Sequence, residues 1–148
     1  MKNRGFTLLE LMVSLSIIAI IGGIAVPSFM DTMDRARCKT HANTFYTALV
    51  AARSEAVKRN VAVVLCKSAN GTSCTTSHNW EQGWITFADT DGDAALDSGE
   101  AILHVFAGLE GSTLRAENGA DHTFSYQANG TYSNNESFNI CIDSDTSN

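Results

Sequence analysis

The chain has 148 residues, a formal net charge of −6 and a sequence pI near 5.0. That length accommodates one compact domain and one extended element, and it hardly allows two full domains. The acidic balance repels phosphate backbones on average, so nucleic acid is not expected as a partner unless a local basic patch overcomes the mean field.

An apolar stretch, residues 6–30, dominates the start of the chain, and Glu10 is its only charged side chain. At about 25 residues it forms a helix of roughly 30–38 Å, long enough to cross a bilayer. Lys2 and Arg4 precede it and stay in the cytoplasm by the positive-inside rule, which places the remainder across the membrane. A secretory signal peptide would have a shorter apolar core and an A-x-A-like site. A plain anchor does not explain Glu10, because a carboxylate in a membrane helix costs free energy.

The residues around Glu10 carry a family resemblance. The sequence Gly5-Phe6-Thr7-Leu8-Leu9-Glu10, followed by the apolar stretch and Pro27, is similar to the class III signal of type IV pilins and type II secretion pseudopilins. In that family a membrane aspartyl peptidase, the prepilin peptidase, cleaves after the glycine and methylates the new amino terminus. The resemblance implies a leader of residues 1–5, cleavage between Gly5 and Phe6, and an N-methylated Phe6. Loss of the two leader cations would change the formal charge from −6 to −8.

Glu10 is then expected to act in assembly. An α-amino group has an ordinary pKa of about 8, so the new terminus of one subunit is largely cationic at neutral pH. Inside an apolar bundle that cation can neutralise Glu10 of a neighbouring subunit, and loss of either partner would leave a buried charge uncompensated. The alternative is a glutamate whose side chain only reaches towards the membrane interface.

Pro27 is the only proline and lies near the end of the apolar stretch. It removes one backbone donor and clashes with the preceding turn, so we expect a kink or a local break there and a role in assembly. Gly22-Gly23 adds flexibility just before it. The predicted organisation is a transmembrane and filament-core helix over 6–30 and a periplasmic head over 31–148.

The helix is predicted to continue beyond Pro27 and to end near residue 59. Lys58 and Arg59 suit the negative end of the helix dipole, and Asn60 is a candidate C-terminal cap. Small or apolar residues recur at steps of three and four and mark one buried face: Cys38, Ala42, Phe45, Leu49, Ala52 and Ala56. The opposite face carries polar residues: Arg37, Asn43, Arg53 and Lys58.

Short β-strands are predicted for the rest of the head, 61–142, as a meander. The predicted segments are Val61–Cys66, Trp84–Ala88, Ala101–Phe106, Thr123–Tyr126, Thr131–Ser133 and Ser137–Ile142. Asn129-Gly130 is a two-residue hairpin signal. Because the apolar helix face needs a partner surface, the expected class is α+β, with the long helix packed on an antiparallel β-rich head as in the type IV pilin fold.

Four further segments narrow the resemblance to the GspH/FimT group of minor pilins and pseudopilins, on its FimT/FimU branch: 51–60, 64–66, 79–84 and 97–100. The resemblance implies a structural minor pilin that helps to prime a type IV pilus and joins its tip. No enzyme activity and no cofactor are expected. The alternatives are a minor pseudopilin of a type II secretion system and a DNA-binding minor pilin for natural transformation.

The same resemblance implies a location and a set of partners. The chain is expected in the bacterial inner membrane as a single-pass protein with a periplasmic C-terminal head, and later in a pilus or pseudopilus. The expected partners are the prepilin peptidase, the major pilin, other minor pilins, the inner-membrane assembly platform, and membrane lipid before assembly.

Four cysteines allow three disulfide connectivities, and the oxidising periplasm permits any of them. Cys66 and Cys74 flank a short segment with the turn signal Asn70-Gly71, so a bridge between them is the preferred reading. Cys38 and Cys141 are then left to pair with each other, which would tie the last strand to the helix.

The segment Asp89–Glu100, called the acidic loop below, resembles an EF-hand in its carboxylate spacing. The weak calcium candidates are Asp89, Asp91, Asp93, Asp97 and Glu100. Ala94 replaces the expected glycine and strands flank the loop, so an acidic solvated turn is the preferred interpretation. The histidines His41, His78, His104 and His122 have no metal-binding spacing, and no G-x-S-x-G setting is present.

DNA capture is the rival hypothesis from a different class. Some relatives bind DNA through an arginine-bearing C-terminal tail, whereas residues 142–148 here are acidic and contain no arginine. The remaining candidates for phosphate contact are Arg53, Lys58, Arg59, Lys67 and Arg115.

Overall fold

The structure is a computed structural model that describes residues 6–77, 79–117, 122–132 and 137–142, with the backbone alone described at 24–27 and 141–142. Its elements in these ranges are one long helix, a short 3-10 helix and six strands. In chain order they are α1 (Leu8–Arg59), β1 (Ala62–Lys67), the 3-10 helix (Trp80–Gln82), β2 (Gly83–Asp89), β3 (Ile102–Ala107), β4 (Ser112–Ala116), β5 (Thr123–Tyr126) and β6 (Phe138–Ile142).

Helix α1 ends where its sequence predicts. Lys58 and Arg59 occupy its last turn, where cations complement the helix dipole. Asn60 follows in the left-handed conformation with φ of 54°, and the backbone N–H of Val61 donates to the carbonyl of Ala56 at 3.3 Å. This is the hydrogen bond of a Schellman cap, so the predicted end near residue 59 is confirmed.

The strands form two antiparallel sheets. Four of them pair in the order β3-β2-β1-β5, and β4 pairs with β6 in a separate two-stranded sheet. Strands β1 to β3 follow one another as a meander, but β5 returns to the free side of β1. The head therefore differs from the single meander expected over 61–142, because β4 was not predicted and takes β6 as its partner.

The inner core lies between helix α1 and one face of the four-stranded sheet. The small side chains of Ala48, Ala52 and Ala56 are fully buried and allow the helix to approach the sheet closely. Phe45 packs edge-to-face against Trp84 at 5.2 Å and against Phe138 at 4.7 Å between ring centroids. These contacts confirm the predicted apolar face of the helix, and they include Ala48, which the spacing did not single out.

The outer core covers the opposite face of the same sheet. It consists of the alternate strand residues Val64, Cys66, Ile85 and Phe87, with Cys74, Ala94 and Leu96 packed against them. The alternation follows from the two-residue period of a strand. Because Cys74 and the acidic loop belong to the connections β1–β2 and β2–β3, two loops cover this face and no second helix is needed.

By internal packing the chain divides into two units, 1–37 and 38–148. Both cores lie in the second unit. The boundary between transmembrane helix and head at residue 30 stays a prediction.

Candidate functional site

Helix α1 begins inside the predicted processing motif. The Oγ1 of Thr7 accepts a hydrogen bond from the backbone N–H of Glu10 at 3.2 Å, and the carbonyl of Thr7 accepts one from Leu11 at 3.2 Å. Threonine followed three positions later by glutamate is the sequence pattern of a capping box. The side chain of Glu10 is exposed in the first helical turn. Gly5 lies outside the described residues, so cleavage between Gly5 and Phe6 stays a prediction.

The apolar stretch is largely exposed at residues 6–23 and 28–30, where the structure describes its side chains. None of its most apolar 18-residue window is buried, and α1 is long and apolar enough to cross a membrane by length and composition. Large side chains that are at least half exposed include Leu8, Leu9, Leu11, Met12, Val13, Leu15, Ile17, Ile18, Ile20 and Ile21. A contiguous apolar surface of this size requires lipid or other protein helices around it.

Helix α1 is continuous through Pro27. The local break expected at this residue is therefore absent, because a proline removes one backbone hydrogen bond while the bonds on either side maintain the helix. A kink at Pro27 and its part in assembly stay predictions. A β-carbon added at Gly22 or Gly23 would meet no atom within 4 Å, so packing within this chain does not require either glycine.

A disulfide joins Cys66 to Cys74, with 5.5 Å between their Cα atoms. Cys66 is fully buried in the outer core, so the bridge anchors the β1–β2 connection to the sheet. The turn inside this connection depends on Asn70, whose Oδ1 accepts backbone N–H groups from Thr72 and Ser73 at 2.9 and 3.0 Å. The pairing that the turn signal favoured is present.

The second predicted bridge would join Cys38 to Cys141. Cys38 carries a free thiol that donates to the carbonyl of Ile140, with 3.7 Å between the two atoms. The backbone of Cys141 pairs with Thr113 in the β4–β6 sheet, while its side chain lies outside the part that the structure describes. The thiol of Cys38 therefore lies beside the residue that precedes Cys141, and the Cys38–Cys141 bond stays a prediction.

The acidic loop is organised by its own carboxylates. Asp89 accepts the backbone N–H of Gly92 at 2.7 Å with Oδ1 and that of Ala94 at 3.2 Å with Oδ2. Glu100 accepts the N–H of Thr90 at 2.7 Å with one oxygen, and the other accepts the N–H of Asp97 at 3.2 Å. Both side chains that could anchor a cation at the two ends of the loop are thus occupied by backbone donors.

Three carboxylates of this loop still lie close enough to share a cation. Oxygens of Asp89, Asp91 and Asp93 are within 4.8 Å of one another. A hydrogen bond from the N–H of Asp93 lowers the pKa of Asp91, but desolvation and the charges of Asp93, Glu100 and Asp97 raise it above its ordinary value overall. Ala94 has a φ of 61° where an EF-hand has glycine. The backbone contacts fit the preferred interpretation of an acidic turn, and the loop stays a weak calcium candidate only.

The basic residues considered for phosphate contact have different surroundings. Lys58 and Arg59 form ion pairs with Glu55, and the Arg59 hydrogen bond holds the pKa of that carboxyl below its ordinary value. Lys67 is buried, and its burial lowers the pKa of its ammonium while the charge of Glu81 opposes that change. Lys67 is therefore not available to a phosphate backbone.

Polar contacts that were not predicted hold β4 in place. The imidazole Nδ1 of His41 and the Oγ of Ser112 are 2.7 Å apart. The Oε2 of Glu81 accepts the backbone N–H of Leu114 at 3.1 Å. Because both contacts join residues far apart in the chain, no local spacing signals them. Within the described residues no histidine belongs to a possible metal cluster, and His78 lies outside them.

Two family models match this chain. The Prokaryotic N-terminal methylation motif covers residues 1–26, and Type II transport protein GspH covers residues 41–148. The chain belongs to the GspH family. The first model covers the capped apolar start of helix α1, and the second covers most of the head with its two cores. Both agree with the family resemblance of the processing motif.

Individual relatives of this GspH-family chain are pilins. It is 44% identical over 50 residues to the Type IV major pilin protein PilA of Myxococcus xanthus, a match that covers 32% of this chain and 23% of that one. It is 31% identical over 100 residues to the Pilin-like protein PilA1 of Thermus thermophilus, covering 68% and 57%. The chain thus spans less than two thirds of either relative.

A solved structure shares the fold. The type IV minor pilin FimU of Pseudomonas aeruginosa superposes with a TM-score of 0.59 and 22% identity, covering 78% of this chain and 79% of that one. A second crystal form of FimU gives 0.55 and 23%. The type IV pilin fold, with its long helix on an antiparallel head, is confirmed. The family comprises structural pilins and pseudopilins and is not known for enzymes.

Proposed function

We propose that this chain is a minor pilin that helps to prime a type IV pilus and is incorporated at or near its tip. The observation that carries the proposal is the exposed apolar surface of residues 6–23 with one carboxylate, Glu10, in its first turn. A lipid anchor alone gives no reason for that carboxylate. A bundle of such helices explains the carboxylate, because the Glu10 of one helix can pair with the terminal amine of its neighbour.

Processing supplies the other half of that ion pair. The prepilin peptidase would cut between Gly5 and Phe6, and the amine of Phe6 would begin the mature chain directly before the Thr7 cap. The cap is formed by the Thr7 side chain and the backbone of Glu10, so it leaves the Glu10 carboxylate available to another subunit. Before assembly the stretch would lie in the inner membrane with the head in the periplasm, a compartment that suits the Cys66–Cys74 disulfide.

The partners of this subunit would be the major pilin, other minor pilins and the inner-membrane assembly platform. A minor pseudopilin of a type II secretion system is the second candidate, since the matched family is described as Type II transport protein GspH. Co-purification of the tagged full-length chain with pilus or with secretion components discriminates between the two.

Substitution of Glu10→Gln tests the proposal. It keeps the size of the side chain and the Thr7 cap but removes the charge, and we expect normal membrane insertion with a loss of about tenfold or more from the sheared fibre fraction, since an unmatched buried charge costs several kcal/mol. Ser16→Val is the matched control, because Ser16 is exposed in the same stretch and its hydroxyl donates to the carbonyl of Met12.

A strain that lacks the chain should carry fewer surface fibres, and the wild-type chain should restore them. Normal fibre numbers in that strain, together with absence of the chain from the fibres, would refute the proposed function. Equal incorporation of Glu10→Gln and Ser16→Val would refute the role of the charge.

A further inference from the structure

A cavity of about 480 Å³ opens between the two loops that cover the outer core, and it is called the outer cavity below. The β1–β2 connection forms one wall, the acidic loop a second, and the start of β5 a third. Its volume falls in the range of about 300–1,000 Å³ that is usual for small-molecule sites. The lining includes Thr75, Thr76, Ala94, Leu96, His122 and Thr123.

The imidazole ring of His122 carries a polar atom without a partner. Its Nδ1 is buried and has no hydrogen-bond partner among the described residues. Nearly all buried polar atoms in folded proteins are paired with protein, water or a ligand, so each exception requires an explanation. Because the same ring lines the outer cavity, a ligand in this cavity lies against His122 and can supply the missing hydrogen bond.

Hydroxyl groups share the outer cavity with His122. They belong to Thr75, Thr76 and Thr123. The Oγ1 of Thr75 accepts the backbone N–H of Ser77 at 3.2 Å, and a hydroxyl that accepts one hydrogen bond still has its own hydrogen to donate. Hydroxyl groups and a neutral imidazole both donate and accept hydrogen bonds. This set of side chains therefore complements a ligand that itself carries several hydroxyl groups.

The wall that the acidic loop contributes is apolar. Ala94 and Leu96 are half-buried, pack against the outer core, and line the cavity. A small-molecule site typically combines such apolar contacts with a few polar groups that fix the orientation of the ligand. A sugar ring matches this combination, because its faces present C–H groups while its hydroxyl groups project from the rim.

The charges near the outer cavity disfavour an anionic ligand. Asp93 and Asp97 are exposed and flank the apolar wall in the sequence. The described lining residues of this cavity include no lysine or arginine. The carboxylates would repel a phosphate or a carboxylate that approached the site, whereas a neutral saccharide meets no such repulsion.

We propose that the outer cavity binds a neutral saccharide of one or two rings. A C–H face of the sugar lies on Ala94 and Leu96, and its hydroxyl groups form hydrogen bonds with His122 and the threonines of the lining. The site is separate from the apolar stretch that carries the proposed function, so its test does not depend on fibre assembly.

Saturation-transfer NMR on the full-length chain in dodecylphosphocholine micelles tests the proposal, because this detergent contains no sugar. The neutral probes are maltose and cellobiose, glucosamine is the cationic probe, and glucuronate is the anionic probe. We expect transfer to the C–H protons of at least one neutral disaccharide at about 10 mM, and none to glucuronate. Absence of transfer to both neutral disaccharides, equal transfer to glucuronate, or transfer to glucosamine alone would overturn the inference.

Two substitutions test whether the saccharide lies in the outer cavity. His122→Phe and Thr76→Val each remove a polar group and should each weaken binding about fivefold, as expected for one lost hydrogen bond. Thr76 is exposed, so its variant keeps the test decisive if His122→Phe does not fold. Thr47→Val is the matched control, because Thr47 is an exposed threonine of helix α1 whose hydroxyl donates to the carbonyl of Asn43. Unchanged binding by Thr76→Val, or an equal loss in Thr47→Val, would overturn the inference.

Discussion

Removal of the Cys66–Cys74 disulfide should destabilise the head by an amount that the loop length sets. The two cysteines are separated by 8 positions in the sequence. For a loop of that size, the restriction of the unfolded chain is worth about 2.5 kcal/mol. In a head of this size, that loss lowers the melting temperature by about 10 °C or more. Cys66→Ala/Cys74→Ala, compared with the wild type by thermal unfolding without reductant, measures the difference.

The same double variant reports on the second pair of cysteines. A Cys38–Cys141 bond would close a loop of about 100 residues, and its reduction would cost about 4.7 kcal/mol. If Cys38 keeps the free thiol seen here, reductant should not change the melting temperature of the double variant. A shift of less than about 3 °C between the oxidised wild type and the double variant would refute the reasoning on loop length.

The remaining predictions concern the charges and the inner core. The pKa of Asp91 is raised in the folded head above its ordinary value of 3.8. Its favourable contribution to the free energy of unfolding is therefore fully present below pH 3.8 and is lost as the pH rises through the pKa of the folded state. Asp91→Asn should therefore raise the melting temperature at pH 7 but not at pH 3, and millimolar calcium should not shift that of the wild type. The pKa of Glu55 is lowered below its ordinary value of 4.5. Glu55→Gln should therefore destabilise the head by a small amount at any pH above 4.5, and this effect should disappear as the pH falls further. Equal effects at pH 7 and pH 3 would contradict this prediction. Phe45→Ala should cost about 3–5 kcal/mol in urea unfolding, because Phe45 packs on both tryptophans.

The long helix and most strands could be predicted because their signals are local. The three- and four-residue spacing identified the buried helix face, and apolar runs located β1, β2, β3 and β5 to within about one residue. Asn129-Gly130 predicted a turn at the right place, but the loop that the structure shows has three residues, 128–130, and not two: Gly130 has a φ of 78° and Gln127 donates to Thr131 at 2.7 Å. After this turn Tyr132 forms only an isolated bridge with Tyr126 among the described residues, where a strand was predicted. In each case a few neighbouring side chains decide the backbone conformation.

The unpredicted features depend on distant partners. Strand β4, Ser112–Ala116, offers one large apolar side chain, Leu114, and becomes a strand by pairing with β6. From the sequence, Lys67 is expected to be an exposed cation at the end of a strand, but it is buried and lies near the charge of Glu81. The roles of Asp89 and Glu100 as backbone acceptors were also missed, because carboxylates at those positions equally fit a cation site.

The mature amino terminus of the chain in fibres tests the central claim most directly. Intact-mass and N-terminal peptide analysis of sheared fibres should find a chain that begins with N-methylated Phe6, has lost residues 1–5, and retains Glu10. A chain that still begins at Met1 and is recovered only from the membrane would contradict the account, since Glu10 would then have no neighbouring amine to meet.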